Sequence, residues 1–353
     1  MNVTVVKRTV APGVRLGRVS FVWRPRIVLV TLALMAATFL VFCLSIALGD
    51  FPLGLPQVVA TLFGGGEQVD QFVIMDLRMP RALAGLVVGV ALGMSGAITQ
   101  SIARNPLASP DILGITGGAG TVAVLLVTVS GGAGAAVVSS VGLSGAALAG
   151  GLSTGLLVYF LAWRRGVDGF RLILIGLCVS AVMEAITTWL LVTADIRDVA
   201  RAQAWLVGSL DNRSWDEVWV ALWGTMILAV VVTCVAFQFK PLHFGDDVAA
   251  GLGVRYSLVR AVLLLCAVLL AGFAVSAAGP VPFVAMVAPQ VAIRLTKCPT
   301  PPLVASAVVG ALLLIGSDLV ARTVLPVTLP VGVITAAIGG PFLIHLLVRA
   351  NRR

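Results

Sequence analysis

The sequence predicts an all-α, polytopic membrane protein of about ten transmembrane helices. Three observations predict it. Of its 353 residues 59% are apolar and 11% charged, and the mean hydropathy is +1.08. A soluble domain carries about 25% charged residues, and a chain this apolar would expose large greasy patches to water. Second, the apolar residues gather into ten runs divided by short polar loops. Third, with the N-terminus inside, 18 of the 24 Lys and Arg fall in inner loops and six (78, 81, 197, 201, 213 and 322) fall outside. That asymmetry orients membrane proteins. Ten spans is an even number, so both termini are expected on the cytoplasmic side. The net charge of +9 is thereby assigned to membrane orientation, and no nucleic-acid partner is expected.

Residues 1–26 hold Lys7, Arg8, Arg15, Arg18, Arg24 and Arg26 and no acid, and read as a basic cytoplasmic tail. The apolar run at 27–48 is long for a signal peptide and lacks an A-x-A site, so it is taken as the first span. Segment 49–77 is polar and glycine-rich and is placed outside. The second span, 82–102, carries Gly85, Gly89 and Gly93 at every fourth position. Such spacing makes a groove for a neighbouring helix, because packing rather than the hydrophobic effect joins helices in lipid. The span stops at Arg104-Asn105-Pro106, since proline has no N–H and its predecessor avoids the α region. Asn105-Pro106 and Ser109-Pro110 read as a rigid inner turn.

Further spans are expected at 112–129, 137–162, 171–193, 215–237 and 258–278, then 303–323 and 330–348. The run 283–295 lies between these two groups. It is too short to cross alone, and Pro280, Pro282 and Pro289 interrupt its surroundings. It reads as a half-length helix, tolerated where protein or a water-filled cavity surrounds it. On the fifth span Glu184, Thr187 and Thr188 would present a polar strip to a cavity. A buried glutamate bonded to a neighbouring helix is the equal alternative. The loop that follows, DIRDVARAQAWLVGSLDNRSWDE, is amphipathic and expected along the outer interface. Segment 238–256, QFKPLHFGDDVAAGLGVRY, reads as a capped helix on the inner side.

Much chemistry is missing. None of Lys7, Lys240 and Lys297 follows a glycine, so no G-x-x-x-x-G-K-[ST] phosphate loop exists. His243 and His345 have no partner at zinc or triad spacing. Cysteines 43, 178, 234, 266 and 298 form no CxxC pair and read as packing residues. No metal, cofactor or catalytic residue is expected in this chain. An ion-coupled carrier wants several buried ionisable groups, and Glu184 is nearly the only one mid-span; that carrier and a lipid-modifying enzyme remain the rival classes. What is left is a conduit driven by a partner. Arg78, Arg81 and Arg322, on the disfavoured outer side, admit two readings. They are snorkelling anchors or a local Asp318–Arg322 pair at i,i+4, or else a cationic socket for an acidic extracytoplasmic protein.

RMPRALAGLVVGVALGMSG, NPLASPDILGITGGAG, GDDVAAGLG (245–253), GPVPFVAMVAPQVAIRL (279–295) and LPVGVITAAIGGPFLIHLL (329–347) occur in that order. Together they resemble the signature of the FecCD family, permease subunits of ATP-driven importers for iron–siderophore, haem and vitamin B12. The resemblance implies a vitamin B12 permease-like bundle over 27–349 in the inner membrane. It implies that Arg78, Arg81 and Arg322 receive glutamates from the two lobes of a substrate-binding protein. Gly245, Asp246, Ala249, Ala250, Leu252 and Gly253 would form a coupling helix that docks on an ATPase subunit, and the span bearing Glu184 would line the pathway. The whole machine would hold two permease subunits, two ATP-binding subunits, which bind the ATP, and the binding protein. AWRRGVDGFRLILIG is most similar to the ferric-enterobactin type of subunit, one of a two-permease pair. A ferric siderophore and a heterodimer are therefore expected, with haem or vitamin B12 as alternatives.

Overall fold

The computed structural model describes every residue except 1–12, 17–18, 23, 50–53, 63, 66, 129–132, 164–168, 243–255, 325–326 and 352–353. The chain is helical nearly throughout. The helices are α1 (Pro25–Ala47), α2 (Leu55–Leu62), α3 (Gln68–Ala103), α4 (Ile115–Thr128), α5 (Ala133–Ala162) and α6 (Gly169–Thr193). They continue with α7 (Ile196–Leu206), α8 (Trp215–Leu242), α9 (Tyr256–Ala278), α10 (Val284–Thr296), α11 (Leu303–Thr323) and α12 (Val331–Asn351). Before them a two-stranded antiparallel ribbon pairs β1 (Gly13–Leu16) with β2 (Val19–Val22), inside the stretch expected to be only a tail.

Among the described residues seven helices are long and apolar enough to cross a membrane: α1, α3, α5, α6, α8, α9 and α11. Three more, α4, α10 and α12, are apolar but shorter over their described cores. These ten lie where the ten apolar runs predicted helices.

Helix α3 is the hub. It is buried along most of its length and packs on α8, α9, α10 and α11, whereas α1 shows most of its surface outward. Glycines make this possible. A Cβ on Gly89 would sit 2.5 Å from the Ala311 Cα, and one on Gly93 would sit 2.2 Å from the Ser306 carbonyl oxygen. Both contacts are to α11 backbone that cannot move aside. The seam extends to Gly96, where a Cβ would meet the Ala285 carbonyl of α10 at 1.7 Å. That carbonyl is the one Pro289 leaves without a helical donor. The close approach at Gly96 therefore falls on a carbonyl freed from its own helix's ladder. Gly85 is looser, against Leu210 and Ile315 side chains at 3.1 and 3.3 Å.

Several buried polar groups pair across the bundle, as burial demands, while the Ser180, Thr225 and Ser306 hydroxyls have no protein partner among the described residues. Ser95 Oγ donates to the Ala267 carbonyl, Gln100 Nε2 to the Met286 carbonyl, and Gln290 Nε2 to Gln100 Oε1. At the start of α3, residues Phe72–Arg78 are wound as a π-helix. Pro80 explains it. Met79 N–H bonds the Ile74 carbonyl, and Pro80 has no N–H, so the Met75 carbonyl has no donor from its own helix. Trp215 Nε1 on α8 supplies one at 2.9 Å.

The helix ends sort into two sets. Arg26 bonds the Leu295 carbonyl and Arg260 the Ile102 carbonyl, which brings the starts of α1 and α9 beside the ends of α3 and α10. The opposite set gathers the end of α1, the start of α3 and the end of α11. Aromatic clusters mark both levels, Trp215–Trp219–Trp223 on α8 at this second end and Tyr159–Phe160–Trp163 at the end of α5. Aromatic belts at two levels are what membrane–water interfaces favour.

Candidate functional site

The second end holds a compact charge cluster drawn from four parts of the chain. Arg78, 8% exposed, donates from Nη1 to the Ile46 and Ala47 carbonyls at 2.9 and 3.1 Å. Arg322 donates to the Leu48 carbonyl at 3.1 Å and to both the carbonyl and the hydroxyl of Ser45. The last carbonyls of a helix lack internal donors and carry partial negative charge. These two guanidiniums therefore close the C-terminus of α1.

Arg81 looks the other way. Its Nε and Nη2 grip Asp318, with Nη2–Oδ1 at 2.8 Å, while its Nη1 meets Asp211. Asp318 is 2% exposed and also pairs with Arg322 at 3.3 Å. The i,i+4 pair that the sequence offered is thus present, and it is half of a bridge. Three arginines and two aspartates leave the cluster at +1. The sequence singles out the arginines but gives no sign of Asp211. The partners lie 130 and 237 residues from Arg81, beyond any periodic pattern.

Asp211 belongs to a strap, residues 206–211, that leads inward. Ser209 Oγ donates to the Asp211 carboxylate, and Asp211 N–H donates to Ser209 Oγ. Ser209 N–H donates to the Ala278 carbonyl at 2.8 Å, and the Gly208 carbonyl accepts Gly332 N–H at 3.2 Å. Gly208 has φ +75, and a Cβ there would lie 2.0 Å from the Pro280 carbonyl oxygen. Only glycine fits both the turn and the approach. Below the strap opens a cavity of about 560 Å³, lined by Leu206, Val207, Pro280–Pro282, Gly332, Val333 and Ala336, with Asp111 and Thr116 also on its wall. Thr116 Oγ1 donates to Asp111. Beside the strap, burial lowers the affinity of the Arg213 guanidinium for its proton, while Glu217 and Asp211 raise it.

The residues expected to line a pathway do not share one strip. Glu184 and Thr188 lie on the exposed face of α6, one turn apart. Thr187 turns instead toward α4, where its hydroxyl meets Thr121 Oγ1 at 2.9 Å. Thr187 and Thr188 are successive residues, about 100° apart around the helix, and so meet different neighbours. The expected coupling residues Gly245, Asp246, Ala249, Ala250, Leu252 and Gly253 lie outside the described residues.

Comparison with known proteins agrees with this architecture. The ferric enterobactin transport system permease protein FepG of Escherichia coli (strain K12) is 37% identical over 329 residues, 93% of this chain and 98% of FepG. The probable siderophore transport system permease protein YfhA of Bacillus subtilis (strain 168) is 40% identical over 331 residues, 92% of this chain and 95% of YfhA. A solved metal-chelate type ABC transporter in an inward-facing conformation superposes with a TM-score of 0.80 at 24% identity, covering 91% of this chain and 99% of that one, and so shares the fold. Residues 37–349 match the model of the FecCD transport family, and this chain belongs to that family.

Proposed function

We propose that this chain is the membrane subunit of an ATP-driven importer for a ferric siderophore. The observation that supports the cargo is the likeness over nearly full length, on both sides, to permeases of ferric enterobactin and siderophore transport. In this reading the permease domain, 27–349, crosses the inner membrane about ten times, with both termini and the basic 1–26 stretch on the cytoplasmic side. The end bearing Arg81 faces outward and receives the acidic face of a cargo-loaded binding protein, with Arg78 and Arg322 holding the platform behind it.

The chain makes no bond chemistry of its own. Two partner subunits bind and hydrolyse ATP, and Gly245, Asp246, Ala249, Ala250, Leu252 and Gly253 carry their motion into the bundle. A second, different permease subunit completes the pathway against the exposed face of α6 that bears Glu184 and Thr188. The cavity below the strap is this subunit's share of the cargo chamber. ATP closes the ATPase pair, and the chamber alternates between its two openings.

The test is uptake of radioiron chelates into proteoliposomes that hold the complete complex. Uptake of a ferric siderophore should require internal ATP and the binding protein and should survive an uncoupler. Accumulation driven by a proton or sodium gradient without nucleotide would refute the proposal.

A further inference from the structure

We propose that Asp211 is a displaceable latch: it occupies Arg81 in the undocked permease, and a carboxylate of the docking protein takes its place and frees the 206–211 strap above the cavity. This rests on the reading of Arg81 as a docking residue and adds what docking does to this chain.

The geometry separates the two partners of Arg81. Nε and Nη2 form a fork on Asp318, which is buried at 2% exposure. Nη1 is left for Asp211, whose side chain is 53% exposed. A buried, forked pair resists exchange, whereas an exposed pair contributes little and is readily replaced. An incoming glutamate can therefore take Nη1 without breaking the fork that ties α3 to α11.

Release of Asp211 has somewhere to go and something to move. Arg213 is two residues on and its Nε donates to the Ser209 carbonyl at 3.3 Å, so a second cation lies on the same turn as the freed carboxylate. Asp211 is tied through Ser209 to the Ala278 carbonyl, and Gly208 is tied to Gly332. The residues just before them, Leu206 and Val207, are cavity wall. The strap thus joins three helix ends, those of α7, α9 and α12, directly over the chamber. Its hold on the cluster is the Arg81–Asp211 pair at one end, so a partner that competes for Arg81 loosens the wall from outside.

Two measurements on the complete transporter in nanodiscs test this. The first is amide hydrogen exchange over 205–211 without any binding protein. Asp211→Asn, which keeps the turn with Ser209 but removes the charge, should raise exchange there about three- to fivefold, and Asp211→Glu should restore wild-type protection. The second is the affinity for the iron-loaded binding protein that supports uptake through this permease. Asp211→Asn should tighten docking about three- to tenfold, because the internal competitor is gone, and docking should raise strap exchange in the wild type. If Arg81→Ala abolishes docking while Asp211→Asn leaves affinity and exchange unchanged, the latch is wrong and the docking reading stands. If Arg81→Ala leaves docking intact, both fall.

Discussion

Asp318→Ala removes the carboxylate that serves two guanidiniums from a site that water barely reaches. Breaking a buried ion pair from one side costs about 3–5 kcal/mol, because the abandoned charge stays buried. Both arginines keep other acceptors here, Asp211 for Arg81 and the α1 carbonyls for Arg322. The loss should therefore sit near the lower end, about 3 kcal/mol. Asp211→Ala breaks a half-exposed pair on the same arginine and should cost at most about 1 kcal/mol. The assay is equilibrium unfolding in mixed micelles, followed by the fluorescence of the tryptophans on α8. Adding Arg81→Leu to Asp318→Ala should return part of the lost stability, since the orphaned charge goes with it. The reasoning fails if Asp318→Ala stays within about 0.5 kcal/mol of wild type, or if Asp211→Ala proves the costlier change.

Gly93→Val should cost about 1–3 kcal/mol by forcing α3 and α11 apart at the Ser306 carbonyl, while Gly85→Ala, facing side chains that can shift, should cost less; thermal unfolding in nanodiscs ranks the two. Arg78→Met should lower stability by about 1–3 kcal/mol through two uncapped α1 carbonyls yet leave docking affinity within about twofold once folded protein is selected; loss of docking with normal stability would make Arg78 a contact residue instead. Ala250→Trp should leave ATP hydrolysis by the assembled complex running while iron uptake falls at least about tenfold, a change of about 1.4 kcal/mol in coupling; normal uptake would remove the 245–253 segment from the ATPase interface.

The hub helix was legible because its reason is local. Glycines every fourth residue state a groove, and the structure carries that groove one step further, to Gly96, where the partner is α10 rather than α11. The half-length α10 was legible from three prolines, each of which removes a donor. The charge cluster was legible mainly as a surplus of arginines on the wrong side. The local Asp318–Arg322 pair was also legible at i,i+4, but Ser45, Asp211 and the reach of Arg81 to Asp318 join distant segments, and nothing in the intervening sequence fixes which helix ends will meet. The π-wound start of α3 was in principle readable from Pro80, since a proline inside a helix strands a carbonyl. Its actual partner, Trp215, was not readable, for the same long-range reason. Likewise Thr187 was grouped with Glu184 by spacing alone, and only the position of α4 separates them.

The shortness of α10 leaves it unable to cross a bilayer by itself. Its 13 residues span about 20 Å, against a hydrocarbon layer of about 30 Å. The bend through Pro280–Pro282 that precedes α10 forms cavity wall rather than rod. As a rod α10 falls short of that layer by about a third. Close backbone fit at Gly96 holds its first turn against α3, and the fits at Gly208 and Gly332 join the neighbouring strap to the bend before it and to α12.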